Sequence, residues 1–494
     1  MNRSSAIIMP LFSLPSPYGI GTMGAAAYDF IDFLKEAGQT YWQLLPLGPT
    51  DAGDSPYSSP STFAGNPYYI DLDMLVKDKL LTGSEVGKID WGSDIERVDY
   101  GKLYENRFAV LRKAYAKAAD YELQSREEFC SSNARWLDNY ALYMALKGRF
   151  GNKAWMEWPE EIRMRNQEAI SAYASELSDE IGFWKFLQYL FFKQWNMLRS
   201  YAVEKGIKFI GDVPIYVALD SADVWSEPWF FRLDERNVPT EVSGVPPDYF
   251  NKDGQLWNNP LYDYDRMRAD GYGWWIRRIE GATRLYDVLR IDHFRGFEDY
   301  WAVPYGETTA INGHWEKGPG MSLVGVLSGW FSNIEFIAED LGELSDGVRR
   351  LLGDSGFPGM KVLEFAFDSK SESSYLPHHC TYHSCCYVGT HDNDTVLGWL
   401  DTLNADDRKF ASEYMHITED EGWCYGLIRT GMSTASDLFG VQMQDVLELP
   451  GSCRTNIPGI AEGNWRWRMK PGAAGKKTAE RLCEMTKTFR RYRG

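Results

Sequence analysis

The segment Tyr272-Gly-Trp-Trp-Ile-Arg-Arg-Ile-Glu-Gly-Ala-Thr-Arg284, followed after three residues by Val288-Leu-Arg-Ile-Asp292, carries the unit on which the fold rests. The first part has a helical pattern. The second is a short, almost uninterrupted apolar run that ends in an acid, as expected of a strand buried on both faces. The same unit recurs along the chain. A helical pattern over Ala25–Ala37 precedes the run Tyr41–Leu47, and another over Phe183–Lys205 precedes Lys208–Val213. Further runs read as strands at Ser5–Leu11, Ile334–Glu339, Lys361–Phe367, Tyr387–Gly389 and Val441–Met443. Helix-separated apolar strands make a parallel sheet, and eight of them make a closed barrel. The fold class is therefore α/β, a (β/α)8 TIM barrel with large helical and loop insertions.

Uneven spacing locates the insertions. Leu103, Tyr104, Phe108, Leu111, Tyr115 and Ala118 recur at helical spacing, as do Leu137, Tyr140, Ala141 and Met144. Residues of about 55–190 accordingly form a mainly helical subdomain inserted in a single catalytic barrel spanning 1–494. A second insertion, about 217–270, is rich in Pro, Gly, Asn, Asp and aromatics and reads as a loop region covering the substrate.

Composition narrows the partners. The 494 residues carry 52 Lys plus Arg against 70 Asp plus Glu, a net charge of −18, which repels nucleic acid unless basic residues are segregated. No basic patch stands out; Arg490, Arg491 and Arg493 read as a solvated helix end. No apolar run is long enough for a membrane span, and the N-terminal run breaks at Pro10, too early for a secretory signal. Seven cysteines fit reduced thiols, so a cytoplasmic protein is expected. Aromatics make up 15% of the chain, with 19 Trp, and flat rings of this kind stack on the apolar faces of sugars; large cores also use them.

A barrel works at the C-terminal ends of its strands. Acids stand there in Phe209-Ile-Gly-Asp212, Val288-Leu-Arg-Ile-Asp292, Phe336-Ile-Ala-Glu339 and Gly389-Thr-His-Asp392. Arg290 precedes Asp292 by two residues and shares its strand face, which favours an ionised carboxylate suited to nucleophilic attack. His391 beside Asp392 suits a grip on neighbouring sugar hydroxyls. Glu339 has only Asp340 beside it, a setting that raises a carboxyl pKa toward general-acid work. Each acid taken alone fits helix capping or pairing with arginine equally well.

The set Leu289-Arg-Ile-Asp-His-Phe294, Ala338-Glu-Asp-Leu-Gly342 and Thr390-His-Asp-Asn-Asp394 resembles the catalytic strand ends of the α-amylase superfamily. More closely, the chain resembles the 4-α-glucanotransferases called amylomaltase or disproportionating enzyme. Leu14-Pro-Ser-Pro-Tyr-Gly-Ile-Gly21, Trp42-Gln-Leu-Leu-Pro-Leu-Gly-Pro49, Asp54-Ser-Pro-Tyr-Ser-Ser-Pro60, Gly211-Asp-Val-Pro-Ile-Tyr216, Gly244-Val-Pro-Pro-Asp-Tyr-Phe250 and Gly463-Asn-Trp-Arg466 carry the likeness almost from end to end. The resemblance implies Asp292 as nucleophile, Glu339 as general acid/base and Asp392 as stabiliser of the distorted donor sugar. It places Asp212, Arg290, His293 and His391 around the donor, and Tyr57, Tyr249, Phe250, Trp257 and Asn464 against substrate. Implied partners are maltooligosaccharides, glucose and starch- or glycogen-type glucans, with no cofactor. The alternative is an amylase-like hydrolase on the same three acids. A non-catalytic glucan-binding barrel is the third reading, and it has no need of a paired nucleophile and acid.

One rival motif is His378-His379-Cys380-Thr-Tyr-His383-Ser-Cys385-Cys386, dense in metal-ligand types. It lacks a Cys-x-x-Cys pair, and adjacent Cys385 and Cys386 point opposite ways on a strand, so no metal is expected.

Overall fold

A strand with no polar face must be covered on both sides, and in the computed structural model eight such strands close into a parallel barrel with helices outside it. The structure describes residues 2–51, 53–247, 251–342, 344–460 and 462–492. The strands along the chain are β1 (Ser4–Ile8), β2 (Tyr41–Gln43), β3 (Lys208–Val213), β4 (Glu241–Val245), β5 (Gln255–Pro260), β6 (Val288–Ile291), β7 (Asp299–Pro304), β8 (His314–Lys317), β9 (Glu335–Ala338), β10 (Gly359–Val362), β11 (Ser384–Tyr387) and β12 (Leu438–Gln442). The barrel runs β1-β12-β11-β10-β9-β6-β3-β2, the arrangement of a (β/α)8 barrel.

Every apolar run read as a strand supplies one barrel strand; Lys208–Val213 keeps its bounds and the other seven have shifted ends. The sixth spans Gly359–Val362 instead of Lys361–Phe367, because the chain tightens into a 3-10 turn at Leu363–Phe365. The seventh and eighth begin three residues earlier than expected. Gly440 interrupts the last apolar run for a packing reason, since a Cβ there would stand 2.3 Å from the Tyr387 ring.

The barrel interior is filled by Ala6, Ile8, Tyr41, Ile210, Val288, Ile337, Met360, Val362, Cys385, Tyr387 and Leu438. Cys386 packs instead in the outer core, so the two adjacent cysteines do face opposite ways. All seven cysteines are free thiols.

Between β2 and β3 lie the helices Tyr100–Ala116, Leu123–Arg149 and Gln167–Glu176, and Ser178–Lys205 leads into β3. Leu103, Leu111, Leu137, Tyr140 and Ala141 are buried at the expected spacing, whereas Tyr104 is exposed. The region 217–270 contains regular structure that the sequence reading does not anticipate. Here β4 and β5 join β7 and β8, from the segment after β6, in an antiparallel sheet ordered β5-β4-β7-β8. Gly244, Asn258, Asn259 and Pro260 hide these strands from propensity arguments.

One surface assignment is corrected. Arg491 is fully buried, not solvated, and donates to the backbone oxygens of Ser4, Met432, Thr434 and Ser436. Carbonyls at the end of the helix Gly422–Ser433 and at the start of β1 give a buried guanidinium its partners. Arg493 lies outside the described residues. Among the described residues, no helix is long and apolar enough to cross a membrane.

Candidate active site

Strand periodicity builds the site. Ile210, Val288 and Ile337 point into the barrel, so the inward positions two residues on are Asp212, Arg290 and Glu339, with Asp292 two beyond Arg290. The apolar plug thus ends in a layer of charge at the C-terminal mouth. Asp392 arrives differently, on the loop five residues past the end of β11.

Arg290 organises the layer. It stands opposite Asp212 in the β3–β6 register, and its Nη1 donates to Asp212 Oδ1 and Oδ2 at 2.7 and 2.6 Å and to Asp292 Oδ1 at 3.0 Å. Arg290 and Asp212 are both buried. Burial acts to raise the Asp212 pKa and the guanidinium opposes it, while Asp212 and Asp292 hold Arg290 firmly charged. Replacing Arg290 by Met removes the partner of a buried carboxylate. We expect a loss of roughly 3–5 kcal/mol of stability in urea unfolding, partly recovered when Asp212→Asn is added. Additive losses in the double variant would contradict this pairing.

Tyr57 extends the network. Its hydroxyl donates to Asp212 Oδ2 at 2.8 Å, and with its single proton so placed it accepts from His391 Nε2 at 2.8 Å. The same imidazole nitrogen lies 3.3 Å from Asp392 Oδ2, so the chain of contacts fixes the His391 tautomer with hydrogen on Nε2. The Tyr57 and His391 rings stack with 14° between their planes. Asp392 keeps much of its side chain open to the cleft, and Asn456 Nδ2 donates to its Oδ1 at 2.6 Å.

Glu339 is held from the backbone. The N–H of His293 donates to Oε2 at 2.8 Å and that of Leu341 to Oε1 at 2.9 Å, which ties the carboxyl to the residue next to Asp292. His293 takes a left-handed conformation (φ 50°) that turns this N–H toward the glutamate. Burial raises the Glu339 pKa to about 7; Asp292 adds to the rise, and Arg290 and the two N–H donors oppose it. Burial also lowers the His293 imidazole to about 4, so the ring is neutral at pH 7.

These groups face an open cleft of about 680 Å³. Its lining includes Tyr57, Trp257, Asp292, His293, Glu339, His391 and Asp392 from the expected set. The Trp257 ring meets His293 edge to face at 4.9 Å. Asp212 and Arg290 sit beneath the cleft and reach it through Tyr57 and Asp292. Asn464 does not line it: its amide accepts from Ile457 N and donates to the oxygens of Ile457 and Ile460, closing the 457–464 loop. The neighbouring Trp465 lines the cleft instead, 5.8 Å from the Tyr57 ring. Tyr249 and Phe250 lie outside the described residues. Tyr216 and Asn456 are cleft residues that the sequence reading does not single out. Tyr216 was visible within Gly211–Tyr216, whereas Asn456, in Thr455-Asn-Ile-Pro458, carries no signal of its own.

Among the described residues, two sets bring three metal-ligand types together away from this cleft. Glu372, His378 and His379 converge at an exposed turn, and Glu241, His314 and Glu316 converge on the antiparallel sheet. In the second set Arg232 already pairs with both glutamates, at 2.7 and 2.6 Å.

A closed parallel barrel that gathers three carboxyl groups at an aromatic-walled mouth has the make-up of a glycoside-processing enzyme. A family model described as 4-alpha-glucanotransferase matches residues 9–474, and the chain belongs to that family. The 4-alpha-glucanotransferase of Clostridium butyricum is 46% identical over 486 residues, 98% of this chain and 100% of its own. That of Thermus thermophilus is 44% identical over 500 aligned residues, covering 99% of each. The amylomaltase from Streptococcus agalactiae, solved in complex with acarbose, superimposes with a TM-score of 0.97 at 40% identity, over 99% of this chain and 100% of that one.

Proposed function

We propose that this chain moves 1,4-α-glucan segments from a donor maltooligosaccharide, or a starch- or glycogen-type glucan, to the 4-hydroxyl of glucose or of another glucan. Family membership over nearly the whole chain carries this reading, and the relatives' transferase name disfavours the hydrolase alternative. The whole chain acts as one catalytic barrel, with the helical insertion at about 55–190 and the 217–270 region covering substrate. It works in the cytoplasm and needs no cofactor.

The site residues take the following roles. Asp292 attacks the anomeric carbon while Glu339 protonates the departing glycosidic oxygen, so the C1–O bond to the leaving sugar breaks as the bond to Asp292 forms. The ester on Asp292 removes one negative charge beside Glu339, whose pKa falls; the glutamate then takes the proton of the acceptor hydroxyl. That oxygen attacks C1 and frees Asp292, so two inversions give net retention, the outcome of enzymes whose paired carboxyls are only about 5–5.5 Å apart. Asp392, steadied by Asn456 and His391, grips the distorted donor sugar. A neutral His293 offers hydrogen bonds without adding a charge that would lower the Glu339 pKa. Tyr57, Trp257, Tyr249 and Phe250 favour sugar over water as acceptor.

The test is the product profile from pure maltotriose, with reducing ends counted in parallel. A ladder of longer oligomers plus glucose at constant reducing ends is expected. Shorter sugars with rising reducing ends would mean hydrolysis.

A further inference from the structure

Arg454 stands behind Asp392, at the end of the 3-10 turn Gly451–Cys453 that follows β12. Its planar fork joins two segments of chain. Nη2 donates to the backbone oxygen of Asp392, and Nε donates to the backbone oxygen of Asn456 at 2.6 Å. These same two residues meet at the cleft, where Asn456 Nδ2 donates to Asp392 Oδ1 at 2.6 Å. One guanidinium therefore closes a ring: it holds the main chains of two residues whose side chains hold each other. The turn that carries Asp392 is also fixed within itself, since Asn393 Oδ1 accepts from the N–H and the hydroxyl of Thr390, each at 2.9 Å.

A different role for Arg454 would be charge compensation. Its Nη1 lies 3.6 Å from Asp394 Oδ2. Glu364 and Asp445 are buried in the same neighbourhood, each with an oxygen that lacks a hydrogen-bond partner. Burial raises the Asp445 pKa to about 7 and pushes that of Glu364 well above the usual carboxyl range; Asp394 adds to both rises, and Arg454 opposes that of Glu364. Geometry decides between the roles. The Asp394 oxygen is beyond hydrogen-bond distance, whereas the guanidinium's hydrogen bonds go to the two main-chain oxygens. Burial that keeps Glu364 protonated also lessens the demand for a counter-charge.

We propose that Arg454 is a positioning residue for the transfer reaction: by tying the Asp392 and Asn456 main chains together, it sets the Asp392 carboxylate in place against the donor sugar. The proposal rests on the reading of Asp392 as the group that grips the distorted sugar. That grip belongs to the transition state more than to the bound substrate, so a displaced carboxylate lowers kcat and leaves KM nearly unchanged. A misplacement of about 1 Å in such a group costs roughly 10²-fold.

Arg454→Lys and Arg454→Met test it, with melting curves to check folding. Lysine keeps a positive charge beside Asp394 but loses the fork, so it separates positioning from charge compensation. For maltotriose disproportionation we expect kcat to fall roughly 10-fold in Arg454→Lys and roughly 10²-fold in Arg454→Met, with KM within about 2-fold of the native value. The sharper measurement is a double-variant cycle with Asp392→Asn, read with a glycosyl fluoride donor. Because Arg454 works through Asp392, adding Arg454→Met to Asp392→Asn should lower the residual rate by less than about 3-fold. Arg454→Lys carries the same cycle if the Met variant does not fold. A native kcat in folded Arg454→Lys, or the full loss repeated in the Asp392→Asn background, would overturn the proposal, since either result leaves a charge or a structural role alone. An Asp392→Asn enzyme that disproportionates maltotriose at the native rate would overturn the reading of Asp392, and the proposal with it; the other outcomes leave that reading standing.

Discussion

Asp292→Asn is expected to lower maltotriose disproportionation by roughly 10⁴-fold or more, the scale of removing a covalent nucleophile. The amide is nearly isosteric and still accepts from Arg290 Nη1, which bonds Asp292 Oδ1 at 3.0 Å, so the fold and the Asp212 pairing should survive. Sugar binding should therefore persist, and equilibrium titration with maltotriose would show it. The decisive observation is chemical. Rapid quenching of the native enzyme with a glycosyl fluoride donor should trap a sugar on the peptide containing Asp292, and the variant should yield none. An active Asn variant, or a label on another residue, would remove Asp292 from the proposed role.

The second large effect concerns Glu339. Its proton is needed to release the leaving sugar, and its pKa stands at about 7 in the free enzyme. Log kcat/KM should therefore be flat just below that pH and fall by about one decade per pH unit above it, since the profile of kcat/KM reports free-enzyme ionisations. The sign follows from the cause: burial and the neighbouring Asp292 favour the neutral acid, which is lost as pH rises through 7. Glu339→Gln should abolish the alkaline limb and cut turnover of maltooligosaccharides by roughly 10²–10⁴-fold. A donor with a good leaving group, such as a glycosyl fluoride, needs no acid and should still glycosylate Asp292 in that variant. An unchanged alkaline limb in Glu339→Gln would assign the titration elsewhere.

Much of this site could be read from one-dimensional pattern because it follows a strand. Asp212, Arg290, Asp292 and Glu339 continue the inward positions of apolar runs, so the periodicity that marks the strands also aims the charges. Where the chain leaves the strands, that logic stops. Asn456 and Trp465 meet Asp392 and Tyr57 through loops whose course depends on tertiary packing, and Asn464 shows how a one-residue step turns a side chain from cleft to loop closure. The antiparallel sheet escaped for a related reason. Its strands are held by pairing between segments on either side of β6, and Gly244, Asn258 and Pro260 speak against them locally. Arg491 departs from its expected exposure because charge in a basic terminal segment reads as solvated unless the carbonyls that receive it are known.

The buried guanidinium near the C-terminus has a consequence for how the protein comes into being. The first strand pairs with the last, Ser4 opposite Leu438, and Arg491 and Arg3 both donate to backbone oxygens at the start of that seam. During synthesis at about 5–20 residues per second, β1 therefore waits on the order of tens of seconds for its second neighbour. Until β12 emerges the sheet has an open edge, flanked by the apolar Ala6-Ile7-Ile8 of β1, that invites association with other chains. Pairing with β12 turns that exposed edge into the barrel's strand pair of widest sequence separation, Ser4 with Leu438, and makes barrel closure a late event.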